Sequence, residues 1–145
     1  MEFLKNNPKW IRQPKQVQIS EDKVVILTER GTDLWARTYY GFQNDNAPVF
    51  QVETTDKYFS FIVKTEFEST CRFDQCGVAM YLNSDNWFKA SIEYENEKIQ
   101  RLGSVVTNHD ILTGQQQTYP LILKVCGIVF HEGTVTTVLN AVRMA

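Results

Sequence analysis

The sequence predicts an all-β domain of the sandwich or barrel class, and three observations carry that expectation. No stretch sustains a helical period of apolar residues. Residues 73–108, FDQCGVAMYLNSDNWFKASIEYENEKIQRLGSVVTN, read as three alternating strands joined by two short turns, an antiparallel meander. Strand-like segments broken by frequent turns continue upstream of that block.

Taken in order, residues 1–15 form a polar N-terminal arm with Pro8 and Pro14, anchored by Phe3 and Trp10. KVVILT (23–28) is a short apolar strand. DLWARTYY (33–40) is a strand entered through a Gly-Thr turn. GFQNDNAP (41–48) reads as a polar loop by its Gly, Asn and Pro content. Residues 49–53 make a short strand. YFSFIVKTE (58–66) alternates, with Phe59, Phe61 and Val63 on one face and Ser60, Ile62 and Lys64 on the other.

In the meander, QCGVAMYL (75–82), WFKASIEY (87–94) and IQRLGSVVT (99–107) are the strands, and NSDN and ENEK the turns. Period two puts Val78, Met80 and Leu82 on one face with Phe88, Ala90 and Ile92, which is a core set. Gln75, Ala79 and Tyr81 lie on the opposite face with Trp87, Lys89, Ser91 and Glu93. That mixture of aromatic, cationic, hydroxyl and carboxylate groups suits a binding groove better than a solvated face.

Bulk properties narrow the function classes. At 145 residues with 43% apolar and 12% aromatic content, the chain reads as one folded domain. A net charge of −2 without a basic block excludes counterion-driven nucleic-acid binding. MEFLKNNPKWIRQPK lacks the apolar core of a signal peptide, and no run reaches membrane-spanning length. The expected location is cytoplasmic. Cys71, Cys76 and Cys126 are then free thiols, and with only His109 and His131 no zinc site is expected. No cofactor is implied.

The meander block resembles DUF1349, a family of unknown-function domains whose named eukaryotic member is a regulator of enolase. TDLWARTYYGFQNDNAPVF (32–50) resembles an earlier signature of the same family. Thr32, Asp33 and Trp35, then Asp74 and Gln75 with Trp87, Lys89, Glu93 and Val105-Val106-Thr107, are specific as a set. The resemblance runs over residues 10–108. It implies a concanavalin A-like jelly roll of two curved antiparallel sheets, the concave one offering a sugar-binding face. Fold likeness does not by itself establish that activity.

At His109 the chain departs from the family pattern, which continues with a Ser-Asp-Trp segment and a Ser-x-Asp-Gly hairpin. With one permitted choice of codons, a single inserted base turns HDILTGQQQTY into HGYSDWATTDI. Residues 109–145 are therefore expected to be an out-of-frame tail after a family-like portion at 16–108. A divergent but genuine tail is the other reading. A jelly roll without its last strands exposes edges and core, so weak stability and aggregation are expected.

Trp35, Tyr81 and Trp87 are candidates to stack on sugar rings, and Gln75, Lys89, Ser91 and Glu93 to supply the polar contacts. The structural alternative makes Trp35 a core residue and pairs Lys89 with Glu93 as surface charge. Glu93, Glu95 and Glu97 form E-x-E-x-E, superficially like a glucanase strand, but Glu95 and Glu97 fall in the turn and read as solvated. Three functions follow. The first is a non-catalytic carbohydrate-binding module. The second is a regulatory module that contacts a metabolic enzyme. The third is a glycoside hydrolase.

Overall fold

The computed structural model describes residues 2–37, 41, 43–55, 59–109, 111–120, 125–131 and 134–138. They form two compact units, Met1–Thr55 and Asp56–Ala145. The first unit holds a single-turn helix α1 (Glu2–Lys5) and strands β1 (Lys9–Ile11), β2 (Gln16–Ile19), β3 (Val24–Leu27), β4 (Leu34–Ala36), β5 (Gln43–Asp45) and β6 (Val49–Gln51).

Within this unit β1 pairs with β6, β2 with β3 and β4 with β5, all antiparallel. The N-terminal arm is thus a sheet partner. Trp10 stacks on Phe50 with ring centroids 4.5 Å apart, and Phe3 meets the same ring edge-on at 5.3 Å. These two aromatic contacts hold the arm where its polar sequence has little else to bury. The segment 41–48, expected to be loop, contains β5: Trp35 lies opposite Asn44 in the β4–β5 ladder. Backbone pairing there overrides a composition of Asn, Asp and Gln that disfavours strands. Residues 38–40 of the expected strand lie outside the described residues.

The second unit holds β7 (Ser60–Glu66), β8 (Gln75–Asn83), β9 (Asn86–Tyr94), β10 (Ile99–Asn108), β11 (Ile111–Pro120), β12 (Val125–His131) and β13 (Thr134–Val138). Two antiparallel sheets result, one ordered β11-β10-β9-β8 and one ordered β13-β12-β7. The three strands and two turns of the meander stand where alternation placed them. Asn83 closes the first turn, its Oδ1 accepting from Asp85 N–H and from Asn86 Nδ2, both at 3.0 Å. Asn96 closes the second, its Oδ1 accepting from the backbone N–H of Lys98 and Ile99.

The core is built by Val78, Ala90, Ile92 and Leu102, with Phe61 and Val63 of β7, Phe67, Phe88 and Tyr119 packed against it. Phe61 and Val63 come from the second sheet, so the two sheets face each other as an all-β sandwich. Met80 and Leu82 do not complete this core as alternation suggested. They are 48% and 79% exposed, and Val106 beside them is exposed too. Period two fixes which face a side chain takes, not how far the opposing layer reaches. Here the β8–β9 register also slips between Tyr81 and Asn83, at the end where Leu82 sits.

Past Asn108 the chain continues in strand. His109, at φ 49°, begins the reversal, and β11 then pairs with β10 in unbroken register from Asn108↔Ile111 to Ile99↔Pro120. β12 pairs with both β7 and β13. Of the sequence TVTTVLNAV, the first five residues are β13 and the rest lie outside the described residues.

Candidate functional site

The candidate residues of the meander share one face, and the register arranges them in rows across the sheet. Tyr81, Trp87 and Thr107 are cross-strand neighbours, followed by Ala79, Lys89 and Val105, then Gly77, Ser91 and Gly103, then Gln75, Glu93 and Arg101. Gly114, Gln116 and Thr118 of β11 continue the last three rows. An aromatic pair therefore stands at one end and a group of amide, carboxylate and guanidinium at the other. Between them Gly77 and Gly103, which carry no side chain, flank Ser91.

The two glycines are not equivalent. A Cβ on Gly77 would lie 2.0 Å from the carbonyl oxygen of Ala90 and 2.6 Å from Ser91 Cα, both backbone atoms. A Cβ on Gly103 would meet first the Gln116 side chain, at 3.2 Å. Gly77 is required by the approach of β8 to β9. At Gly103 the nearest neighbour is the end of a flexible side chain, which can give way.

The inner strand β9 is buried on this face as well as on its core face. Trp87 is 4% exposed and Lys89 and Ser91 are 8% exposed, while Gln75, Tyr81 and Glu93 are half-buried. Lys89 is therefore not the surface charge that pairing along the strand would have made it. Ser91 Oγ donates to Gln75 Oε1 at 2.9 Å, and Trp87 Nε1 donates to the Ser84 carbonyl at 3.2 Å. Opposite Trp87, Thr107 is 2% exposed and its Oγ1 has no hydrogen-bond partner. A buried hydroxyl without a partner costs about 1–3 kcal/mol. Trp35 lies in the first unit, buried between Leu34 and Ala36.

Gly77, Gly103 and Arg101 were not among the residues that sequence reasoning selected, and Thr107 stood there only as part of a family signature. Glycines inside strand patterns were the available signal for two of them. The β9–β10 register is what places Thr107 opposite Trp87 and Arg101 opposite Glu93.

Several residues of the two signatures hold turns. Asp74 Oδ2 accepts the backbone N–H of Thr70 and Cys71, each at 2.9 Å, where the chain enters β8. Asp33 Oδ1 accepts from Leu34 N–H at 2.7 Å, and its carbonyl accepts from Asn46 and Ala47. Thr32 Oγ1 donates to the Glu29 carbonyl at 2.8 Å. Short polar side chains bonded to nearby backbone are how loops of this kind keep one shape.

Glu95 departs from the expectation of a solvated turn residue. Its side chain is 12% exposed and takes Arg72 Nη2 at 2.7 Å and Arg101 Nε at 3.0 Å. Arg101 Nη1 also donates to Gln116 Oε1 at 3.3 Å, and the Arg72 guanidinium lies 4.6 Å from the Phe73 ring centroid. Held between two guanidinium groups, Glu95 ties the β9–β10 turn to the loop before β8. Glu97 is exposed. Among the described residues no group of three or more His, Cys, Asp or Glu side chains is placed to hold a metal ion. Cys71 is exposed and Cys76 half-buried, both free. Among the described residues no helix is long and apolar enough to cross a membrane.

The family profile described as protein of unknown function (DUF1349) matches residues 10–115. The chain belongs to the DUF1349 family. The match takes in all six meander candidates together with Trp35, and it continues past Asn108 into β11. A DUF1349-like relative in Saccharomyces cerevisiae, "Regulation of enolase protein 1", is 34% identical over 100 residues. That alignment covers 68% of this chain and 49% of the relative, so this DUF1349 chain spans about half the relative's length. A crystal structure of a functionally unknown protein from Saccharomyces cerevisiae superposes with a TM-score of 0.75, over 90% of this chain and 76% of that one. At 23% identity that likeness speaks for the fold.

Proposed function

We propose that this DUF1349 chain is a non-catalytic, concanavalin A-like binding module whose Trp87 face takes up a carbohydrate. One observation carries the reading: on one sheet face Tyr81 and Trp87 stand at one end, Gln75, Glu93 and Arg101 at the other, and a row of small residues, Gly77, Ser91 and Gly103, lies between. The two ends are six residues apart along β8, about 20 Å at strand rise, which suits a short oligosaccharide. Tyr81 offers the half-buried aromatic surface for a sugar ring. Gln75, Glu93 and Arg101, each half-buried, offer the polar contacts, beside the buried Lys89, Ser91 and Thr107. The cytoplasm suits its free cysteines.

A second reading rests on the printed name of the yeast relative: the same face serves a regulatory module that contacts a metabolic enzyme. Gly103→Val separates use of this face from folding, because the added side chain meets a flexible glutamine first, at 3.2 Å, and the Gln115 carbonyl oxygen only at ordinary contact distance, 3.4 Å. On a panel of immobilised glycans the carbohydrate reading expects binding by the native chain and a loss of about tenfold or more in Gly103→Val, with the melting temperature retained. No glycan retained by the native chain, alongside direct binding of a purified glycolytic enzyme that Gly103→Val abolishes, would favour the regulatory reading instead. Turnover of a bound glycan, lost in Glu93→Gln, would establish the glycosidase reading and overturn both.

We also infer that the chain leaves its family's reading frame near His109. What supports this is the character of β11: residues 113–118 are exposed whichever face they take and carry no apolar alternation, and among its residues whose side chains are described Tyr119 is the one packed against the core. Sequencing the codons for 107–119 in independent clones of the source DNA is expected to show either an extra base or a downstream frame that still encodes Ser-Asp-Trp and Ser-x-Asp-Gly. Neither feature in any clone would make the tail genuine.

A further inference from the structure

β11 stands at the end of its sheet, with a neighbour on one side among the described residues. An edge strand presents a row of free N–H and C=O groups, and proteins usually blunt it with charge, proline, bulges or shortness. Two other edges of the second unit carry such devices: β7 has Lys64 and Glu66, and β8 has a register slip at Tyr81/Asn83. β11 has neither. Its ten residues, ILTGQQQTYP, include no charge, proline comes only at the last position, and pairing with β10 runs without a bulge. Residues 113–118 are exposed throughout.

The strand is also complementary to itself. We propose that two copies of this chain pair antiparallel through the free edges of β11, joining their four-stranded sheets into one continuous sheet. A two-fold axis sets one residue opposite its own copy. Centred on Gln116, it sets Gln115 of one copy against Gln117 of the other, and Gly114 against Thr118. Three amide-bearing rows then face each other, and each glutamine side chain both donates and accepts across the junction. Gln116 accepts from Arg101 through Oε1 and keeps its NH2 group for the partner. The small Gly114 lets the strands close on either side of the centre.

The register is tested with charges. Sedimentation of the native chain is expected to show a concentration-dependent dimer. In Gln115→Lys with Gln117→Lys, lysine faces lysine twice, and association is expected to weaken by about tenfold or more. In Gln115→Lys with Gln117→Glu the same positions carry opposite charges across the junction, and the dimer is expected to return. Circular dichroism and melting curves of the two variants check that both remain folded. A native chain that stays monomeric to its solubility limit would overturn the proposal. So would a dimer untouched by the double lysine variant, failure of the lysine–glutamate variant to restore it, or open-ended aggregates in place of a dimer.

Discussion

Gly77→Ala is expected to destabilise the second unit by about 3 kcal/mol, near the upper end for forcing one extra methyl into a packed site. The reason is geometric. The methyl would lie 2.0 Å from the Ala90 carbonyl oxygen and 2.6 Å from Ser91 Cα. Backbone atoms of an inner strand cannot move aside as a long side chain does, so β8 must shift away from β9 and loosen their ladder. Gly103→Ala is the control, since its methyl meets a glutamine side chain at 3.2 Å. Chemical denaturation of the two variants should separate them by at least about 2 kcal/mol. Equal losses would mean that the close approach at Gly77 is not a feature of the folded protein.

Ile92→Ala is expected to cost about 3–4 kcal/mol, and Leu82→Ala less than about 0.5 kcal/mol. Both residues belong to the set that alternation assigned to the core. Ile92 is 1% exposed at the centre of the cluster with Val78, Ala90 and Leu102, so its truncation leaves a cavity. Leu82 is 79% exposed, so its truncation removes little contact. Denaturant midpoints at constant slope would give both values. A Leu82→Ala loss comparable to that of Ile92→Ala would show that the core reaches the hairpin end after all.

The contrast between these two leucine-sized residues shows what could be read from the chain. Alternation in β8 and β9 placed Val78, Ala90 and Ile92 on the core face, and Asn and Asp at the turns fixed where the strands stop. These are local effects, set by the pleat and by side chains that bond their own backbone. Alternation also gathered Gln75, Tyr81, Trp87, Lys89, Ser91 and Glu93 on the other face. It did not show that Trp87, Lys89 and Ser91 are themselves buried there, because burial depends on what surrounds an inner strand on both faces.

Glu95 and β11 make the same point from opposite directions. In the sequence Glu95 is one charge in a polar turn. Arg72 and Arg101, brought from outside that turn, make it a half-buried clamp. β11 lacks the apolar alternation that announces a strand, yet it pairs along its full length because β10 offers ten residues of edge in register. Backbone hydrogen bonding needs no particular side chain, so a sequence with little face of its own can still be recruited as a strand.

By itself, then, the sequence determined the family, the all-β class, the meander with its turns, and the face to which each central residue points. All of these follow from period-two alternation, turn chemistry and the paired signatures. Tertiary structure decided how far the core extends, which glycine is pressed against backbone, what Glu95 holds, and which edge stands open. Those depend on distances between segments remote in the chain, and no local pattern of side chains encodes such distances.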